Sequence, residues 1–362
     1  MKGEPRMVKQ SCFPATLLVA GILAATSLAA QTPPVSGSPP EPADSCPPPA
    51  EVGNAPWFTH FLSPETAETG ASSGCCDYCG VIGYVDYLNW AARRSGLDFA
   101  AVIDPTQLVN PQPFAPLATN SLDFNRASGV RTSVGYRFAE TWDIDWTFTY
   151  FRTNREDSVT QGPGTLTGLL ATQSFFNKTL MDSVEADGSL QLEVHDFEAS
   201  WRSLLDDAFG FRAFGGLRWA EIDQQFNNSY SYLLGGAPVN GTIHLPSIMD
   251  AGGVRFGAEL QWLAPKGVRV FARGAQSILV ANFRTAQEES DTVHGVVVDL
   301  PGSSTQVVPV TEAAAGIGWC HGPWEVSAGY EMSNWFNLAQ VNRTSQNLLL
   351  NGFFVRIGLT CW

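Results

Sequence analysis

Beyond residue 30 no stretch approaches the ~20 consecutive apolar residues that a membrane-spanning helix needs, because a charge, a glycine or a polar residue breaks every apolar run. If the protein lives in a bilayer, it must cross as a closed β-barrel, whose strands satisfy one another's backbone. Basic residues are scarce: 21 Lys and Arg stand against 35 Asp and Glu. Removing Lys2, Arg6, Lys9 and Glu4 with the leader described below leaves 18 against 34, a net charge near −16. Such a balance excludes nucleic acid as a natural partner. Histidine is sparse too, confined to His60, His195, His244, His294 and His321. Only His195 lies in a clearly alternating segment, with no Ser and acid constellation around it. The histidines therefore read as solvated or structurally hydrogen-bonded, and no enzyme, catalytic residue, cofactor or metal is expected.

What is present begins with a basic start at Lys2, Arg6 and Lys9, followed by the apolar run Ala15 to Ala25 and small residues. This is the pattern of a secretory signal peptide over residues 1–30. Ser27 and Ala29 fit a small-x-small cut before Ala30, and a cut after Ala30 fits nearly as well. Cys12 precedes the apolar core, so it does not stand where a lipid-anchored cysteine would. Residues 31–56 are rich in Pro, Ser, Gly and Glu and read as a disordered linker. Residues 57–80 form a Cys-containing N-terminal segment, and 81–362 a single domain.

Cys46, Cys75, Cys76, Cys79, Cys320 and Cys361 survive export, where disulfides can form. Cys76-x-x-Cys79 lacks both a thioredoxin-like βαβ context and a second ligand pair. A disulfide is the better reading, with a connectivity that sequence alone does not give.

Within the domain the hydrophobic period is two. Val130, Thr132, Val134, Tyr136 and Phe138 occupy one face, and Arg131, Ser133, Gly135 and Arg137 the other. After a short turn, Trp142, Ile144, Trp146, Phe148 and Tyr150 alternate with Asp143, Asp145, Thr147 and Thr149. Val254, Phe256, Ala258, Leu260 and Trp262 alternate with Arg255, Gly257, Glu259 and Gln261, and Ala264 to Gly267 turns into a strand beginning at Val268. Ala313, Ala315, Ile317 and Trp319 oppose Glu312, Ala314, Gly316 and Gly318; Trp324, Val326, Ala328 and Tyr330 oppose Glu325, Ser327, Gly329 and Glu331. With segments 81–91, 189–202, 211–222 and 348–362 this gives about ten strands, within a range of eight to twelve. Segment 189–202 changes phase around His195 and Asp196, as a bulge or an exit from the membrane band would. The orientation of 81–91 is undecided, since Asp86 and Asn89 fall on opposite faces.

Links of a few residues alternate with long polar ones near 92–127, 153–188, 223–250 and 284–307, and a shorter one near 339–347. The predicted fold is therefore an all-β, transmembrane, antiparallel up-and-down barrel with short periplasmic turns and long extracellular loops. Its predicted lumen carries Arg131, Arg137, Asp143, Asp145, Arg212, Arg218, Arg255, Glu259, Arg269, Arg273, Glu312, Glu325, Glu331 and Arg356. Its predicted lipid face and aromatic girdle carry Tyr136, Phe138, Trp142, Trp146, Phe148, Tyr150, Trp219, Phe256, Trp262, Trp319, Trp324 and Tyr330.

Gly83 to Trp90, Gly129 to Arg131 with Gly135 to Phe138, Phe214 to Ala220 and Ala328 to Glu331 resemble the Legionella-type pore-forming major outer-membrane protein family, from about residue 80 to the C-terminus. The resemblance implies an outer-membrane barrel that forms a pore and brings no catalytic residues. The terminal aromatic Trp362 fits an outer-membrane barrel, although Thr360, Gly358 and Arg356, not the apolar Phe353, Val355, Ile357 and Leu359, share its face. The expected location is the bacterial outer membrane; the expected partners are outer-membrane lipid and small solutes or ions, with a homo-oligomer left open. The competing reading is a non-conducting scaffold that binds through its long loops, and ten strands lie between a filled barrel and an open channel. Segment 153–188 is the first suspect for a loop folded into the lumen.

Overall fold

A computed structural model of the protein describes residues 80–94, 97–102, 117–139, 141–160, 162, 166–170, 181–205, 208–321, 324–341 and 344–360. The predicted signal peptide and linker, nearly all of the predicted segment 57–80, Cys46, Cys75, Cys76, Cys79, Cys361 and Trp362 lie outside these residues. Among them, ten strands close an antiparallel barrel: β1 (Gly80–Arg94), β4 (Arg126–Arg137), β5 (Trp142–Thr160), β7 (Ser183–Leu204), β8 (Phe209–Leu234), β9 (Ala237–Leu263), β10 (Val268–Asp291), β11 (Gly295–His321), β12 (Trp324–Val341) and β13 (Thr344–Thr360). Each pairs with the next in sequence, and β1 closes the ring on β13 through thirteen residue pairs from Ile82↔Thr360 to Arg94↔Leu348. Three short strands, β2 (Asp98–Val102), β3 (Ala118–Ser121) and β6 (Leu166–Gly168), form a separate sheet in the order β3-β2-β6.

At one rim the expected tight turns are present, including Pro265 to Gly267, where Lys266 and Gly267 take positive φ. At the other rim the sequence reading needs correction. The segments near 223–250 and 284–307 are not loops. They are the far ends of strands 24 to 27 residues long, joined at Gly235-Gly236 and at residues 292–294. The link expected at 339–347 likewise shrinks to a short connection between β12 and β13. A membrane crossing takes only about 9–11 residues, so β8 to β11 run well past the bilayer. The Gly-Gly pair sits at φ 60° and 86°, the mirror-image two-residue turn that matches strand twist.

The side chains explain why these extensions fold. On β8 the inward residues are Arg212 and Arg218 and then, farther along, Ala220, Ile222, Phe226, Tyr230 and Tyr232. Outward residues reverse the order: Leu217 and Trp219 give way to Glu221, Asp223 and Gln225. The strand is inside-out in its first half and soluble-like in its second, with the period of two unbroken. The same reversal accounts for the phase change at His195 and Asp196. β7 carries no bulge there, pairing without a register shift to both β5 and β8. Inward Leu190, Leu192 and Val194 are followed by inward Asp196, Glu198 and Ser200, while Phe197 and Trp201 face out. On β1, Asp86 faces in and is fully buried, and Asn89 faces out, which settles that strand's orientation.

The interior is consequently layered. A charged belt lies toward the short-turn rim, and above it an apolar cluster fills the barrel, with Leu88, Phe151, Ile222, Leu279 and Trp335 all fully or nearly fully buried. The lumen is therefore not charged along its whole length, because beyond the membrane band water wets the outside and the apolar side chains must turn inward. A second cluster joins Leu97, Phe99 and Leu166, from or beside the small sheet, to Val184, Phe226, Tyr232 and Ile243 on the strand extensions. The described parts of segment 153–188 thus build strand ends and this cap.

Candidate functional site

Nine guanidiniums (Arg131, Arg137, Arg202, Arg212, Arg218, Arg255, Arg269, Arg273, Arg356) and nine carboxylates (Asp86, Asp143, Asp145, Asp196, Glu198, Glu259, Glu312, Glu325, Glu331) point into the short-turn half of the barrel. Strand parity alone sets that direction, since each sits one residue from an outward apolar neighbour. The closure seam supplies the densest part. Arg356 grips both oxygens of Asp86 at 2.7 and 2.9 Å. Arg131 reaches Asp86 at 3.2 Å and holds Glu331 at 2.9 and 3.1 Å. Glu331 also accepts the Trp90 indole N–H at 3.1 Å.

Across the barrel Arg218 grips both oxygens of Asp196 at 2.6 and 2.8 Å and touches Glu312, which also pairs with Arg255 at 2.9 Å. Arg255 is bound to Glu198 as well. Nearer the rim, Arg202 pairs with Asp143 at 2.6 Å, Arg212 with Asp145 at 3.1 Å, and Arg269 with Glu325. Arg273 stands 3.6 Å from Glu331. Buried charges at this density persist because opposite signs pair within the belt.

Every residue of the predicted lumen set lies in this belt. The sequence-based lumen set omits Asp86, Asp196, Glu198 and Arg202, and the signal that finds them is the same parity carried through β1 and β7. The predicted girdle residues all point outward. His195 joins them, 5.9 Å from Trp146, 5.0 Å from Phe148 and 5.1 Å from Trp219 between ring centres.

Two cavities lie in series in the belt. The first, about 150 Å³, is bounded by Tyr84, Arg137, Arg202, Arg269 and Glu325 near the rim. The second, about 60 Å³, is bounded by Arg131, Asp196, Glu312 and Glu331, with Trp90 and Trp335 beyond. Tyr84, Asp145 and Arg212 border both. Each volume suffices for water, and the lining is polar enough to hold it. Among the described residues no cluster of His, Cys, Asp and Glu is arranged to hold a metal ion, and Cys320 is a free thiol.

At the opposite rim Tyr230 donates to Glu289 at 2.8 Å, and burial together with that bond pushes its hydroxyl pKa up. Asp291 accepts the backbone N–H groups of Val293 and His294 at 2.9 and 2.6 Å and lies 3.0 Å from the His294 ring. Burial opposes its charge, but these donors prevail and hold its carboxyl at about 2.

Residues 89–361 match the family described as Legionella pneumophila major outer membrane protein precursor. Comparison with curated proteins found no match. Among solved structures, the chain is similar to the outer membrane protease OmpT from Escherichia coli, at 9% identity over 78% of this chain and 96% of that chain, with a TM-score of 0.46. It is also similar to the toluene transporter TodX from Pseudomonas putida, at 11% identity over 79% and 90% with a TM-score of 0.26. A third is the outer membrane protein OprG from Pseudomonas aeruginosa, at 8% identity over 78% and 97% with a TM-score of 0.25. Likenesses at this level say nothing of function.

Proposed function

Because this chain belongs to the Legionella pneumophila major outer membrane protein family, we propose that its barrel is a narrow, non-enzymatic pore for small solutes or ions in the bacterial outer membrane, reached after export and removal of the leader. Outer-membrane lipid covers the outward aromatic belt in this reading, and a homo-oligomer is compatible with it. The observation that carries the proposal is the pair of cavities in series along the charged belt. A belt with equal numbers of guanidiniums and carboxylates gives polar solutes partners at each step while favouring neither sign strongly. The apolar layer at Trp335, Phe151 and Leu350 then acts as a constriction that gates by excluding water.

The full-length protein in planar bilayers is expected to give small, discrete conductance steps. Trp335→Ala, which removes the largest fully buried side chain, is expected to enlarge them several-fold while costing about 3–5 kcal/mol of stability. Silent bilayers with both proteins correctly folded would remove the pore reading. The apolar cluster itself favours the second reading, a closed scaffold that binds through its extended hairpins, and that same silence would leave it standing.

A further inference from the structure

We propose that the polar layer at Arg94, Gln224 and Ser247 is an internal binding site for one small oxyanion, a carboxylate or a phosphate. Gln224 and Ser247 are cross-strand neighbours on β8 and β9. The pairs on either side, Ile222 with Met249 and Phe226 with Leu245, belong to the two separate apolar clusters, so this layer is a polar sheet between two dry ones. Arg94 enters it from β1 and donates through Nη1 to the Gln224 side-chain oxygen.

The remaining donors of these three side chains have no acceptor. Arg94 is 8% exposed, and its Nε and Nη2 have no partner; neither does the Gln224 amide nitrogen or the Ser247 hydroxyl. Nε and Nη2 form one edge of the guanidinium fork, the edge that binds two oxygens side by side. Arg218 and Arg356 use this edge to grip Asp196 and Asp86. Arg94 has the same edge open and no carboxylate opposite it. The last inward charge on β8, Arg218, lies six residues away, roughly 20 Å at 3.3 Å per residue. An oxyanion would take the open edge, the amide and the hydroxyl together and neutralise a charge that is costly to bury unpaired. The apolar residues packed on both sides leave no path for a long hydrocarbon tail, which restricts the ligand to a small ion.

The full-length protein, folded in detergent in a Tris-HEPES buffer, would be titrated calorimetrically with sodium acetate and, separately, with sodium phosphate. One or both are expected to give saturable heat at a stoichiometry near one, and the responding anion identifies the source. Arg94→Met is expected to weaken binding at least tenfold, and the surface variant Arg126→Met to leave it unchanged. Should Arg94→Met fail to fold, Gln224→Glu provides the second arm: a built-in carboxylate is expected to abolish binding and raise the denaturation midpoint. Absence of saturable heat with both anions on folded wild-type protein overturns the proposal, as does binding that persists in Arg94→Met or in Gln224→Glu. The readout involves no conductance, so a barrel that fails to conduct leaves this site intact.

Discussion

Asp86 is the residue on which the seam converges. Its carboxylate is buried and is held by Arg356 and Arg131, so Asp86→Asn would leave the Arg356 guanidinium without its counter-ion and Arg131 with Glu331 alone. A loss of about 3–5 kcal/mol is expected, read as the shift in a guanidinium unfolding curve of the detergent-folded barrel. Asp250 makes a pair with Arg284 at a similar distance, 2.6 Å, but Arg284 is largely and Asp250 partly in solvent. Asp250→Asn is accordingly expected to cost less than about 1 kcal/mol in the same measurement. Asp291 supplies the pH dependence of the far rim. Its folded pKa is depressed to about 2, so its contribution is complete above the ordinary carboxylate range near 4 and is lost as pH falls through 2. A carboxyl titration by NMR is expected to place its midpoint near 2, and Asp291→Asn to remove the corresponding acid-induced opening of the β10–β11 turn.

Among the elements, the β8–β9 hairpin is the most informative. Gly235→Ala combined with Gly236→Ala puts side chains where φ is positive, at a cost of about 1–2 kcal/mol per residue. Limited proteolysis is expected to find cleavage near the turn with the barrel below it intact. This hairpin also marks where the sequence became hard to read. Strands such as 130–138 and 142–150 were legible because apolar and charged residues alternate in plain sight. In 223–250 the outward residues are Asp223, Gln225, Asn227 and Ser229, and Gly-Gly and Pro interrupt, so the segment resembled a solvated loop although Phe226, Tyr230, Ile243 and Leu245 keep the inward rhythm. On β7 an exchange of polarity between the two faces looked like a bulge, because periodicity reports which residues share a face and not which face meets water. For the site, direction was legible and partnership was not: Asp86 and Arg356 meet only because the ring closes.

At the scale of the whole molecule, the outward indoles of Trp142, Trp146, Trp219, Trp262, Trp319 and Trp324 stand apart from Trp90 and Trp335 inside. In vesicles of brominated lipid, quenching of tryptophan fluorescence is expected to fall when Trp146 is replaced by Phe and to stay unchanged when Trp335 is. The reversal of faces along β7, β8 and β9 has a further consequence for the barrel's seating. Trp219 and Val254 are followed at once, on the same outer surface, by Glu221 and by Gly252 and Asp250. The chain thus carries its own waterline: sinking the cylinder by one residue pair drags carboxylates into hydrocarbon, and raising it strands greasy rings in water. Its depth is written into the polypeptide, and in a bilayer of the wrong thickness it is the lipid that has to stretch or thin.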